Sequence, residues 1–143
     1  MRVTLDASVW LAASSPKERE HLPCATLVRR LLERRVALHQ PGLFLIEVSA
    51  SVARRTRDEA MALEAASKAR SMPGMVIHEL TLAARTDATD VAARCALRGA
   101  DAVYVTTARH AQATLVTMDR EVRERAGTIV PVRTPAEWLK ELA

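Results

Sequence analysis

Aromatic side chains are almost missing from this chain: Trp10, Phe44, Tyr104 and Trp138 make up 3% of its 143 residues. The core must therefore be built from Leu, Val, Ile and Ala, and base stacking is a poor route to sequence recognition. Only two cysteines occur, Cys24 and Cys95, each inside an apolar helical pattern and without metal-ligand spacing. They read as reduced core residues of a cytoplasmic protein. No apolar run approaches the roughly 18 residues that a membrane span needs. Asp6 interrupts the only N-terminal run that could serve as a signal peptide, so no membrane partner is expected. Lysine is scarce as well, with Lys17, Lys68 and Lys140 alone, and the net charge of +4 is carried by arginine. Arginine suits bidentate contact with phosphate, so an anionic partner fits the composition without being required by it.

What is present alternates. Val3 to Leu5 is a short apolar strand, and Ala7 to Ala13 a short helix broken by Ser14-Ser15-Pro16. From Leu22 to Arg35 the apolar residues follow helical spacing, and Val36 to His39 is a second strand ended by Gln40-Pro41-Gly42. Helices follow over Leu43 to Arg57 and Asp58 to Met72, with Asp58 as N-cap and a turn at Pro73-Gly74. Met75 to Leu80 is a third strand. Thr81 to Arg98 is a long helix that Gly99 is placed to end, and Asp101 opens another running to Gln112. Thr114 to Thr117 is a fourth strand, Arg120 to Arg125 a helix, Thr128 to Val132 a last strand and Pro135 to Leu142 a closing helix. Strands separated by helices define an α/β class. The expectation is one domain over residues 1–143, a three-layer α/β/α arrangement around a central, mostly parallel sheet.

Four acids need explaining. Asp6 and Asp119 each end an apolar strand directly, and in open α/β sheets the site lies outside the carboxyl ends of the strands. Either acid alone would be read as a helix N-cap worth about 1 kcal/mol. Two such acids in one small sheet shift the reading toward a site. Glu47 lies in Leu43-Phe44-Leu45-Ile46-Glu47-Val48, the most apolar helical run of the chain, with no basic residue at i±3 or i±4. A carboxylate on a buried face without a partner protonates or destabilises the fold, so it needs either an arginine or a cation. Asp101, after Arg98-Gly99-Ala100, reads as an N-cap that can also carry a ligand. Carboxylates converging on one point raise one another's pKa, and a hard divalent cation relieves that repulsion. Oxygen-only ligation favours Mg²⁺ or Mn²⁺ over Zn²⁺. Such an ion is suited to phosphate-ester hydrolysis.

Taken in order, Leu5-Asp6-Ala7-Ser8-Val9, Glu47 in its apolar helix, Gly99-Ala100-Asp101-Ala102 and Leu115-Val116-Thr117-Met118-Asp119 resemble the pattern of the PIN-domain family. The resemblance covers essentially the whole chain and is greatest to the VapC-type toxins of toxin–antitoxin pairs. It implies a metal-dependent endoribonuclease in which Asp6, Glu47, Asp101 and Asp119 bind Mg²⁺ or Mn²⁺. Ser8 and Thr117 would orient those acids or a water. It further implies an RNA substrate, a homodimer and a cognate antitoxin protein. The family's acidic set is sometimes larger, and Asp90 or Glu121 could supply a further acid.

The remaining signals are blander. Arg54, Arg55 and Arg57 can flank the site or simply end a helix in solvent. Arg29, Arg30, Arg34 and Arg35 read as a solvated face. His21, His39, His78 and His110 share no spacing that would mark a general base. One rival function is a PIN-like module that binds RNA or protein without cutting it. A haloacid-dehalogenase-type phosphatase would want a second Asp where this chain has Ser8. A receiver domain would want a strand-end Lys, and none is found.

Overall fold

A computed structural model describes residues 1–143. Its five strands are β1 (Arg2–Leu5), β2 (Ala37–Pro41), β3 (Met75–His78), β4 (Thr114–Val116) and β5 (Val132–Arg133). Its eight helices are α1 (Ala7–Ala13), α2 (His21–Glu33), α3 (Gly42–Thr56), α4 (Glu59–Arg70), α5 (Leu82–Cys95), α6 (Gly99–Ala111), α7 (Arg120–Ala126) and α8 (Pro135–Leu142). The strands form one sheet in the order β3-β2-β1-β4-β5. Every pairing is parallel, with Val3 beside Leu38 on one side and beside Thr114 on the other.

Side-chain alternation divides the core. Val3 and Leu5 join Leu38 and Val116 against Leu27 and Leu31 of α2 and Trp138 and Leu142 of α8. Leu115 belongs to the other layer, with Phe44 and Val48 of α3 and Val105 and Ala108 of α6. Thr4, fully buried between Val3 and Leu5, satisfies its hydroxyl by donating to the His39 carbonyl at 2.7 Å. Trp10 packs edge-on against Phe44 with ring centres 5.8 Å apart. Cys24 is buried and Cys95 half-buried, and both are free thiols.

Local chemistry explains most boundaries. Asp58 and Thr81 cap α4 and α5 by accepting the Met61 and Ala84 N–H groups at 3.0 and 3.1 Å. Thr134 and Glu137 form a reciprocal capping box at the start of α8. The C-terminal ends are less usual. With only four glycines in the chain, α3, α5 and α6 end on Arg57, Ala96 and Gln112 in the left-handed region, at φ of 55°, 51° and 52°. L residues adopt that region at a cost of roughly 1–2 kcal/mol each, so tertiary packing must hold these ends. Gly74 is the glycine that a close approach requires: its φ is 81°, and a Cβ there would lie 2.9 Å from the Val36 carbonyl oxygen.

Four expected boundaries are corrected. Gln40-Pro41 does not end the second strand: β2 runs through Pro41, whose φ of −69° suits extended backbone, and α3 starts at Gly42 without a loop. Gln40 is buried there, and its side-chain carbonyl accepts the Leu5 N–H at 3.2 Å. Gly99 does not end α5, because Ala96 already does so; Gly99 is the first residue of α6. The last strand is Val132–Arg133 rather than Thr128 to Val132, since the edge position beside Leu115 and Val116 selects those two residues. β3 also stops at His78, short of the expected Leu80, and the remaining helices lie close to where the periodicity puts them.

Candidate active site at the carboxyl edge of the sheet

The chain order β1, β2, β3 runs outward on one side of the sheet, and β4 then returns to the opposite side of β1. The crevice between the carboxyl ends of β1 and β4 is thus the topological switch point, where open α/β sheets place their sites. Asp6 leaves β1 here, with its N–H bonded to the Val116 carbonyl at 3.0 Å. Asp119 follows β4 by three residues. Both acids do cap helices: Asp6 accepts the Ser8 N–H at 3.3 Å, and Asp119 accepts the Glu121 and Val122 N–H groups at 2.8 and 3.2 Å. Each cap uses only Oδ1 of its carboxylate, and Oδ2 takes a side-chain donor from another part of the chain, Thr117 at Asp6 and Arg98 at Asp119.

Thr117 joins the two. It is completely buried, donates its hydroxyl to Asp6 Oδ2 at 2.8 Å and accepts the Asp119 N–H at 3.0 Å. Ser8 reaches Asp6 through its backbone only, and its side chain is exposed.

Glu47 and Asp101 arrive from α3 and α6. Glu47 is half-buried, and its partner is neither an arginine nor another charge: Tyr104 donates its hydroxyl to Glu47 Oε2 at 2.5 Å. Tyr104 is 3% exposed, so the bond fixes the carboxylate from within the core. Burial pushes the Glu47 carboxyl above its ordinary range. The Tyr104 hydrogen bond opposes the shift, and the charges of Asp6 and Asp101 add to it. Burial likewise raises Asp101, the Arg98 contact opposes that, and Asp6 and Asp119 reinforce it. Burial and the Glu47 carboxylate hold the Tyr104 phenol far above the ordinary range, so it remains a donor. Four acids remote in sequence thus sense one another across a single crevice.

Asp101 differs from expectation in one respect. It is the third residue of α6, not its cap; the cap position belongs to Arg98, which makes no side-chain capping bond. Instead, the Arg98 guanidinium spans the crevice, donating from Nε to Asp101 Oδ2 and from Nη2 to Asp119 Oδ2, each at 3.0 Å. With the side chains so placed, no three Asp, Glu, His or Cys residues converge closely enough to ligate one ion. The donor set still suits a hard cation. It consists of carboxylate oxygens alone, those of Glu47 and Asp101 on partly buried groups whose pKa is raised chiefly by burial, and the Asp101–Asp119 pair already attracts a positive charge.

The two further acids stand apart. Asp90 pairs with Arg94 at 3.2 Å and Glu121 with Arg125 at 2.5 Å, each within its own helix. Tyr104 and Arg98 are the residues that sequence reasoning missed. Tyr104 stands three residues after Asp101 and Arg98 three before it, a helical spacing that would have offered both as neighbours.

A family model for the PIN domain matches residues 3–127, and the chain belongs to that family. A comparison with curated proteins finds no match. Among solved structures, it is similar to VapC20 of Mycobacterium tuberculosis, a Sarcin-Ricin loop cleaving toxin. That match has 19% identity and a TM-score of 0.71, covering 92% of this chain and 98% of that one. It is also similar to VapBC2 from Rickettsia felis, bound to a DNA fragment from its promoter, at 12% identity and a TM-score of 0.71 over 94% of this chain and 98% of that one. DNA-bound VapBC from Salmonella typhimurium matches at 12% identity and a TM-score of 0.72, over 94% and 98%. At these identities the likeness is one of fold. No helix is long and apolar enough to cross a membrane.

Proposed function

We propose that this protein is a metal-dependent endoribonuclease, the toxin of a toxin–antitoxin pair, with Asp6, Glu47, Asp101 and Asp119 as its acidic quartet. The observation that carries this reading is the approach of acids from the end of β1, from α3 and α6 and from the end of β4 to the switch point, where burial first, and the charges of the neighbouring acids in addition, raise Glu47 and Asp101. Membership of the PIN family supports it, as does the fold shared with VapC20, described as a toxin that cleaves the Sarcin-Ricin loop.

In this reading the four carboxylates hold Mg²⁺ or Mn²⁺. When bound, such an ion supplies Lewis-acid polarisation of the phosphodiester and an activated water for hydrolysis. The protein's part is to present the acids in fixed directions. Thr117 orients Asp6, the α7 N-terminus holds one oxygen of Asp119, and Tyr104 anchors Glu47. No histidine is called upon as general base. The RNA backbone is drawn by a chain of net charge +4 whose Arg54, Arg55 and Arg57 are all exposed.

An antitoxin partner is inferred from the VapBC complexes that share the fold. A homodimer is inferred from the family and supported by an open groove of about 730 Å³ whose walls include Ile46, Leu80 and Ala100. Ile46 and Leu80 are 65% and 57% exposed, an apolar surface of the kind that marks protein contacts.

The test is cleavage of a labelled structured RNA by purified protein with Mg²⁺ or Mn²⁺, against EDTA and an Asp6→Asn variant. Cutting that disappears in both controls supports the reading. Equal cutting by wild type and variant refutes it. RNA binding without cutting by either favours a non-catalytic PIN-like module.

A further inference from the structure

Arg98 is not explained by helix formation. It occupies the N-cap of α6 without capping, and its side chain is 71% exposed yet ordered against two carboxylates from different elements. A planar guanidinium donates in a fixed fork, and here two of its nitrogens take one oxygen each from Asp101 and Asp119. Those two acids come from α6 and from the end of β4, so no local sequence preference brings them together. The contact exists because the tertiary fold creates a negative pair at the switch point and Arg98 lies within reach. Unlike the helical pairs Asp90–Arg94 and Glu121–Arg125, it joins separate elements through the proposed metal-binding oxygens.

We propose that Arg98 is the built-in counter-ion of the Asp101–Asp119 pair and competes with the divalent cation for it, so that it sets the affinity of the site for metal. The inference rests on the metal-site reading above. The guanidinium holds Asp101 Oδ2 and Asp119 Oδ2, and a cation drawing on those oxygens would compete with it for their negative charge. Removing Arg98 has two opposite effects. The carboxylates lose their neutralising charge, which lowers stability without metal, and they lose their competitor, which raises metal affinity. A merely structural arginine would lower both together. Lysine, a point charge without the fork, cannot hold the pair in the same bidentate fashion and should fall between wild type and the neutral variants.

The experiment is Mn²⁺ titration of the full chain by calorimetry, without RNA, for wild type, Arg98→Ala, Arg98→Gln, Arg98→Lys and Asp119→Asn, with melting temperatures in EDTA and in Mn²⁺. Exposed, screened contacts of this kind are individually modest, so the neutral variants should bind Mn²⁺ roughly three- to tenfold more tightly. They should also melt lower in EDTA and gain more on Mn²⁺ addition than wild type, while Asp119→Asn binds more weakly than any of them. Equal or weaker Mn²⁺ binding by both neutral variants, with Asp119→Asn still impaired, overturns the role of Arg98 and leaves the metal site standing. No Mn²⁺ binding by wild type or by any variant overturns both. Arg98→Gln keeps a hydrogen-bonding side chain and serves if Arg98→Ala does not fold.

Discussion

Thr117 donates its hydroxyl to the carboxylate of Asp6, 2.8 Å away, and thereby ties the end of β4 to the end of β1. The two residues stand 111 positions apart in the chain, and parallel pairing of Leu5 with Val116 makes them neighbours. The same Thr117 oxygen accepts the Asp119 N–H, so one buried hydroxyl orients two of the four acids.

Thr117→Val keeps the β-branched shape and removes only the hydroxyl. Partners of metal-binding groups typically contribute 10- to 100-fold to affinity or activity, so RNA cleavage should fall by about tenfold or more. The fold should remain, with a loss of about 1 kcal/mol from the missing hydrogen bonds. Kinetics alongside urea denaturation would separate the two effects; a large stability loss with proportionate inactivation would speak against an orienting role.

Asp119→Asn and Asp119→Ala should part company. Asparagine preserves an oxygen for the Glu121 and Val122 N–H groups and thus the cap of α7, but it lacks the charge. It should melt like wild type and be inactive, whereas alanine should be inactive and about 1 kcal/mol less stable. If the asparagine variant retains full activity, Asp119 is only a cap.

Tyr104→Phe removes the one contact that holds the raised Glu47 carboxyl down. Without it, Glu47 shifts further up and ionises at higher pH. Metal binding needs the carboxylate, so the acidic limb of the activity profile should move to higher pH, a shift that a pH–rate series would detect. The stability sign follows from the same direction. A carboxyl raised above its unfolded value favours the fold most at pH below that value and loses this contribution as pH rises through the folded pKa.

His39 and His78 lie 2.8 Å apart through Nδ1 and Nε2, a contact that needs one donor and one acceptor. Burial comes first among the causes that hold both below the ordinary imidazole range, helped by His78 and Arg2 at His39 and by His110 at His78. Both therefore hold a proton less readily in the fold than in the unfolded chain. Their contribution to stability should be level above pH about 6.5, and should fall below it as the unfolded chain takes up protons first. Melting curves between neutral and mildly acidic pH would show this, and His39→Gln should flatten the dependence.

The sequence alone settled the α/β class, the order of elements and the identity of the acids at strand ends. Those features depend on periodicity and on residues that stop strands, and both are local properties. It could also mark Glu47 as anomalous, because a charge in the run Leu43 to Val48 conflicts with its neighbours wherever that run packs. It went astray where local preference has no single outcome. Gln40-Pro41-Gly42 reads as the end of a strand, yet an extended proline can lie within the strand and lead straight into a helix; Gly99 can end one helix or open the next. Only the tertiary structure decided which partner answers each acid. Glu47 meets Tyr104, 57 positions away, and Asp101 and Asp119 share Arg98. Hydrogen bonds between side chains from separate elements depend on strand order and helix crossing, which no local pattern encodes. The switch point between β1 and β4 exists only once the chain has crossed back over its own first strand.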